Sequence, residues 1–418
     1  MYGLIDCNNF YVSCERVFNP KLKNQAVVVL SNNDGCVISR STETKALGIK
    51  MGEPAFKIEQ IVKSHNIAML SSNYELYGDM SSRVMNTIAA EAPAIEIYSI
   101  DEAFIELSNF KYTNLLEFAV NLRAKILKWT GIPVSVGIGK TKTLAKIATN
   151  VVKKTPIECG AFILETEEQT IEILKKIKVE DVWGIGRRYS KKLRSEFVFT
   201  AYDFITMPDH FVKKTMSIVG LKTKKELEGQ SCINLQEVQD SKKTITTSRS
   251  FAKKQSDIKI LEQAVAYFAD NCGIKLRKDN SVAKYLTVYV RTDHFKSNLP
   301  QYSQAITVNL PTATDSSLTL IKYALKGLRL IYKTGFLFKK AAVTLSGIEP
   351  KVAVQGNIFD NSDFQHADLM KTIDAIREKF GKEKLQFGIQ NTEGFWKAGR
   401  QRVSKAFTTK WDELLEVD

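Results

Sequence analysis

Tyr98-Ser99-Ile100-Asp101-Glu102-Ala103-Phe104 sets two adjacent carboxylates inside an apolar strand pattern, and it decides the fold when taken with Asp6 at the end of Tyr2-Gly3-Leu4-Ile5. Neighbouring residues of a regular strand point to opposite faces. Acids placed among Ile95, Ile97, Ile100 and Phe104 therefore leave at least one charge that is costly to bury. Such burial needs a partner, and a divalent cation supplies one. A turn or bulge at Asp101-Glu102 lets both acids reach one place, with the strand that ends in Asp6 pairing alongside. Three carboxylates arranged in this way can hold a pair of Mg²⁺ ions for nucleotidyl transfer. The competing reading is a surface hairpin whose acids are simply solvated.

The chain around this stretch has 418 residues, too many for one core, and about three or four domains are expected. Lys and Arg number 60 against 46 Asp and Glu, a net charge of +14 that favours a polyanionic partner such as nucleic acid. No apolar run reaches membrane-spanning length, and the first residues enter a strand without a signal or anchor pattern, so a cytoplasmic protein is expected. The 6 cysteines form no C-x-x-C pair and the 4 histidines are scattered, which argues against zinc and for reduced thiols.

Asn8-Asn9 offers an N-cap to a helix with Phe10, Cys14, Val17 and Phe18 on its apolar side, stopped by Asn19-Pro20. A strand at 26–30, the turn Ser31-Asn32-Asn33-Asp34-Gly35, Cys36-Val37-Ile38 and a short helix closed by Gly48 read as a small inserted subdomain. From Tyr74 to about residue 165 strands alternate with helices, which predicts an antiparallel or mixed sheet backed by helices on one face. Residues 166–235 read as helical, and the polar stretch 236–256 as a linker. Strands at 285–290, 305–308 and 341–345 with helices at 258–278 and 315–333 outline a second α+β domain, followed after Pro350 by a basic tail with one helix at 367–380.

Gly137-Ile138-Gly139-Lys140-Thr141 looks like a phosphate-binding P-loop, but the position that needs the first glycine is Val134, so the loop cannot wrap phosphates. A helix starting near Thr141 projects Lys142 and Lys146 one turn apart, where either lysine could neutralise a triphosphate or merely form a solvated face. Val182-Trp183-Gly184-Ile185-Gly186 before the basic run Arg187, Arg188, Lys191 and Lys192 has the form of a helix-hairpin-helix turn. In such a turn the backbone N–H groups at a helix N-terminus meet a DNA phosphate; a plain helix-helix turn is the alternative. Lys242, Lys243, Arg249, Lys253 and Lys254 stand in an acid-free stretch whose hydroxyls at Thr246, Ser248 and Ser250 could track a phosphate backbone if they share one face of an edge strand.

In this order the motifs resemble the Y-family DNA polymerases, of the UmuC type that forms the catalytic subunit of DNA polymerase V, and the resemblance runs along the whole chain. It is carried by Asp6-Cys7-Asn8-Asn9-Phe10-Tyr11, Ser31 to Ile38, Ser72-Asn73-Tyr74-Glu75-Leu76-Tyr77, Tyr98 to Phe104, Lys140 to Lys146, Val182 to Gly186 and Ser248-Arg249-Ser250-Phe251. The resemblance implies an α+β multidomain right hand: palm at 1–10 and 74–165, small fingers at 11–73, helical thumb at 166–235, linker at 236–244, α+β little finger at 245–348, and a basic tail at 349–418. It implies Asp6, Asp101 and Glu102 as catalytic metal carboxylates for two Mg²⁺, with the carbonyl of Cys7 completing one shell, and Tyr11 as a steric gate against ribose. Phe10, Thr42, Lys45 and Lys146 would contact the nucleotide; the family more broadly often has a Tyr-x-x-Arg pair where this chain has Thr42 and Lys45. Gly184, Gly186, Arg187, Lys191 and Arg249 would contact DNA.

The implied activity is low-fidelity, template-directed DNA synthesis past damaged bases in a bacterial SOS-type response, with primer-template DNA and dNTPs as substrates. Gln355-Gly356-Asn357-Ile358-Phe359 resembles the sliding-clamp pentapeptide, with Gln355, Ile358 and Phe359 as its anchors. The tail, with Phe395, Trp396, Phe407 and Trp411 among basic residues, is similar to a docking segment for a UmuD′-like dimer and a RecA filament. Two other classes compete. A palm-domain nucleotidyl cyclase has no use for a helix-hairpin-helix turn, and a non-catalytic DNA-binding scaffold does not require intact Asp6, Asp101, Glu102 and Tyr11.

Overall fold

Strand β1 (Tyr2–Cys7) is buried along its whole length, the pattern of a strand with neighbours on both edges and cover on both faces. The computed structural model describes residues 1–108, 114–155, 157–236, 241–296, 298–353, 362–381, 384–390 and 399–415. They form two units, Met1–Gln239 with Gln401–Asp418, and Asp240–Arg400. In the first, β1 is followed by α1 (Phe10–Phe18), β2 (Val27–Leu30), β3 (Val37–Arg40), α2 (Thr42–Ala46), α3 (Ala55–Ser64), β4 (Ala68–Ser71), α4 (Tyr74–Ala89), β5 (Ile95–Ile97), β6 (Glu102–Glu106), α5 (Leu115–Thr130), β7 (Val134–Gly139), α6 (Lys142–Lys154) and β8 (Ala161–Ile163). The helices α7 (Glu167–Lys176), α8 (Arg187–Ser195), α9 (Ala201–Thr206) and α10 (Asp209–Leu227) then pack around Leu174, Leu193, Phe204 and Val212 in a core that takes in Leu144, Ile147 and Ala148 of α6.

The main sheet has the order β5-β6-β1-β7-β8, antiparallel except for the parallel pair β7 and β8. Ile5 and Cys7 pack with the apolar sides of α4 and α5. Tyr2, Leu4 and Phe104 point the other way, against Ala145 of α6. The sheet is thus covered on both faces, not on one as the alternation of elements suggests. The second cover is possible because of the glycines that imitate a P-loop: a Cβ at Gly137 would lie 2.2 Å from the Thr149 nitrogen of α6. Their role is close helix-on-strand approach. A separate sheet, β3-β2-β4, carries α3, whose Ile58 packs with Val28, Leu30 and Val37.

The second unit is an antiparallel sheet of order β11-β10-β12-β9, built from β9 (Thr244–Gln255), β10 (Ser281–Arg291), β11 (Ser303–Thr314) and β12 (Phe338–Pro350). Helices α11 (Ile258–Lys278) and α12 (Ser317–Ile331) cover one face, leaving the other face polar as antiparallel sheets allow. Much of the stretch expected as linker is therefore strand β9. The region after Pro350 is likewise not a single free tail. In α13 (Ser362–Phe380), Arg377 donates to the buried Asp270 of α11 at 3.1 Å, and Asp374 accepts from Arg277 at 2.6 Å. Residues Gln401–Asp418 belong to the first unit, with Ala406 buried there. Among the described residues no helix is long and apolar enough to cross a membrane.

Candidate active site and nucleic-acid interface

Asp101 and Glu102 reach one place through a turn, and that turn lies before Glu102. The N–H groups of Tyr98 and Ser99 donate to the Glu102 carbonyl at 3.0 and 3.1 Å, which leaves Asp101 in the loop and Glu102 as the first residue of β6. Ser99 holds the loop: its hydroxyl donates to Asp101 Oδ1 at 2.6 Å and accepts from the N–H of Asp101 and Glu102. The Cys7 N–H donates to the Asp101 carbonyl at 2.9 Å, which ties the loop to the end of β1.

Asp6 and Glu102 are directly opposed in the β1–β6 ladder. Directly opposed residues project to the same face, and here it is the face covered by α6. Asp6 is only 5% exposed, and Asp101 and Glu102, the two acids of the solvated-hairpin reading, are half-buried. Burial raises the Asp6 carboxyl to about 7; Lys153 pulls it down and Glu102 pushes it up. Two lysines of α6 serve the pair: Lys153 bridges to Asp6, and Lys146 donates to both Glu102 oxygens at 3.1 and 3.0 Å. Seven residues apart, these lysines share one helix face and line a cleft of about 360 Å³ with Asp6, Glu102, Asn150 and Trp183. Trp183 donates its indole N–H to the Tyr98 hydroxyl at 3.0 Å, and Lys146 lies over the Tyr98 ring at 4.7 Å.

Lys142 does not join them. It is 2% exposed and paired with the buried Glu96 at 2.6 Å, so it serves the core. Lys153 lies two helical turns on from Lys146 in α6, a spacing that the sequence itself carries.

The carboxylate oxygens that Asp6 and Glu102 bring to this cleft, which Thr149, Asn150 and the two lysines also line, are of the kind that Mg²⁺ prefers. Among the described residues no three His, Cys, Asp or Glu side chains yet surround one point, because the Asp101 carboxylate is turned to Ser99.

Tyr11, in the first turn of α1, lies nearly parallel to the Tyr77 ring, with centroids 4.5 Å apart. It meets the Tyr74 ring edge-on at 6.0 Å. Burial pushes its phenol up to about 12, and Tyr74 and Asp101 add to the shift. Asn9, expected as a side-chain cap, instead takes a left-handed conformation at φ 48° with no cap bond, which asparagine tolerates. Its side-chain oxygen accepts from Lys45. Phe10 is 3% exposed and packed in the core.

Lys45 has its ammonium held below the usual lysine range, first by partial desolvation, then by Arg40 and Lys153, with Asp6 opposing. Lys45 of α2 and Lys153 of α6 thus both lie within reach of the Asp6 charge, and Arg40 of β3 lies close to Lys45. Arg40 has no signal in the sequence, because only the fold brings it here. Thr42, at the start of α2, is exposed.

Gly184 has φ +88°, a conformation that favours glycine, and Gly186 starts α8 with no side chain capping its first turn. A Cβ at Gly186 would meet open space. Gly186, Arg187, Ser190, Lys191 and Arg194 line an open cleft of about 490 Å³ there. In the second unit a row of hydroxyls crosses the uncovered sheet face: Thr246 pairs with Thr344, Thr344 with Thr287, and Thr287 with Thr307. Ser248 and Ser250 alternate onto the same face as Thr246. Arg249 faces the other way, with its guanidinium 5.7 Å from the Tyr267 ring of α11. Gln355, Ile358 and Phe359 lie outside the described residues.

Residues 5–150 match the impB/mucB/samB family, 242–358 match that family's C-terminal domain, and 367–417 match a domain of unknown function, DUF4113. Over 421 residues the chain is 40% identical to Protein UmuC of Salmonella typhimurium (strain LT2), covering 100% of each chain. It is 26% identical over 400 residues to DNA polymerase IV of Pelotomaculum thermopropionicum, covering 93% of this chain and 95% of that protein. Among solved structures, the Y-family DNA polymerase chimera Dbh-Dpo4(243-245)-Dbh shares the fold, with a TM-score of 0.69 at 22% identity over 83% of this chain and 98% of that chain.

Proposed function

On the premise that this chain belongs to the impB/mucB/samB family, the UmuC-type branch of the Y-family DNA polymerases, we propose that it extends primers past lesions by two-metal nucleotidyl transfer within an SOS-type response. It is a DNA-directed DNA polymerase of the translesion class. The observation that carries the finer reading is the facing pair Asp6 and Glu102 beneath Lys146 and Lys153.

In this reading the β5-β6-β1-β7-β8 sheet is the palm, residues 11–73 the fingers, 166–235 the thumb and 245–348 the little finger. When bound, two Mg²⁺ ions supply a lowered pKa at the primer 3′-hydroxyl and neutralise the triphosphate and the leaving pyrophosphate. Asp6, Glu102 and Asp101 would hold them, Asp101 by turning from Ser99. Lys45, Arg40 and Lys153 gather the triphosphate by charge. Tyr11, backed by the Tyr77 ring, excludes a ribose 2′-hydroxyl by contact. The Gly184–Gly186 turn holds one DNA phosphate on the first N–H groups of α8, and the hydroxyl row of the second unit suits backbone contact without base reading. A sliding clamp at Gln355–Phe359, a UmuD′-like dimer and a RecA filament complete the proposed partners.

The test is Mg²⁺-dependent primer extension on intact and abasic templates, with and without a UmuD′-like dimer and a RecA filament. Extension over the abasic site is expected, and chelation should stop it. Failure under every condition with primer-template binding intact would leave a DNA-binding scaffold. For the turn, Arg187→Ala with Lys191→Ala should lower the slope of log affinity against log salt by roughly 1 to 2, as expected when one or two phosphate contacts are lost. An unchanged slope removes the phosphate role.

A further inference from the structure

Glu15 of α1 is a buried carboxylate, 2% exposed, whose bonds among the described residues come from neutral donors. Its Oε1 accepts from the Tyr77 hydroxyl at 2.7 Å and from the Ser404 hydroxyl at 3.0 Å. Burial raises its pKa, and these two donors work against the rise. Ser404 is gripped in turn by Asn73, whose amide donates to the Ser404 hydroxyl and carbonyl, both at 3.1 Å, and to the Lys405 carbonyl at 3.2 Å. The same asparagine caps α4 by accepting from the Leu76 N–H. On one side the Arg402 carbonyl accepts from the Ser71 N–H, and the Arg402 N–H donates to the Ser71 hydroxyl. On the other, Phe407 stacks on Phe18 at 5.1 Å. Residues 401–407 therefore complete the wall against which Tyr77 rests, and Tyr77 carries the Tyr11 ring.

We infer that this C-terminal segment is a positioning element for sugar selection: Ser404, through Glu15 and Tyr77, fixes the depth at which Tyr11 meets the nucleotide's sugar. The inference rests on the gate reading of Tyr11 and assigns a role within the matched domain of unknown function. Without the Ser404 hydroxyl, Glu15 loses one of its donors and draws differently on the Tyr77 hydroxyl. The paired rings then lose a fixed stop.

The experiment compares ribonucleotide with deoxyribonucleotide insertion by the full chain on a primer-template, with kcat and KM separated. Tyr11→Ala is expected to raise relative ribonucleotide use by about a hundredfold or more, the size of a lost steric exclusion worth two factors of ten. Ser404→Ala should raise it by about five- to tenfold, the equivalent of one buried hydrogen bond. Its effect should fall on the ribonucleotide KM, with kcat for deoxyribonucleotides within about twofold, because the variant leaves the reacting groups untouched. Ser404→Thr, which keeps the hydroxyl, should restore wild-type selection, and Ser404→Ala should add nothing to Tyr11→Ala. Normal selection in Ser404→Ala beside relaxed selection in Tyr11→Ala overturns the inference and spares the gate. A parallel fall in kcat for both sugars, or no rescue by threonine, reduces Ser404 to structural support. Unchanged selection in Tyr11→Ala removes the gate and this inference with it.

Discussion

Asp101→Asn and Asp6→Asn are each expected to reduce primer extension by roughly 10³-fold or more, the loss of several kcal/mol of charge stabilisation at the reacting phosphate. Primer-template affinity should stay within about twofold, since neither residue belongs to the sets proposed to meet DNA. The two variants should differ in stability. In Asp101→Asn the amide oxygen can still accept from Ser99, so the turn survives. Asp6→Asn removes a buried carboxylate whose pKa is already raised by burial, and the freed Lys153, with a side chain 40% exposed, can turn to water. Asp6→Asn should therefore be as stable as the parent or slightly more so, the trade expected where a site holds unfavourable charge for its chemistry. Activity retained in either variant would withdraw that carboxylate from the metal assignment; equilibrium unfolding in denaturant checks the stability ordering.

Lys142→Ala should cost about 3–5 kcal/mol of stability, because it strands Glu96 as an uncompensated buried charge. Among the described residues Glu96 then keeps the Gln236 N–H as a donor but no cation. Lys146→Ala, one helical turn away, removes a pair whose side chains are each 19% exposed, so Glu102 keeps access to water and the stability loss should be clearly smaller than for Lys142→Ala, while nucleotide use falls. Replacing both members of the buried pair, Lys142→Met with Glu96→Leu, should recover most of the loss. Similar unfolding midpoints for Lys142→Ala and Lys146→Ala would show that burial does not separate these lysines.

That separation marks a limit of sequence reading. The periodicity of helix and strand shows that Lys142 and Lys146 lie a turn apart and that Asp6 and Glu102 close apolar strands. Spacing does not say which lysine the sheet will cover. Gly137 settles it by letting α6 sink onto β7, with Lys142 beneath and Lys146 and Lys153 at the rim. Asp6 and the Gly184–Gly186 turn are legible because isolated acids and paired glycines are costly without a purpose. Arg40 is not, since its convergence with Lys45 and Lys153 belongs to tertiary structure. Arg249 is legible as a strand residue next to hydroxyls, yet the period of two puts it on the helix side. The segment after Pro350 reads as a basic tail because nothing in its composition reveals that α13 is held to Asp270 or that residues 401–407 find Glu15.

Ser404 leaves the ribosome 389 residues after Glu15, the carboxylate it joins. A nascent chain can pair β1 with β6 and β7 early, since domains tend to fold as they emerge. The wall behind Tyr77 must wait until Gln401–Phe407 has been made. Until then the early-built unit holds a buried acid lacking one of its donors, and synthesis of one unit brackets the whole synthesis of the other. Synthesis halted shortly before residue 401 would thus leave a chain whose earliest-made unit is the unfinished one.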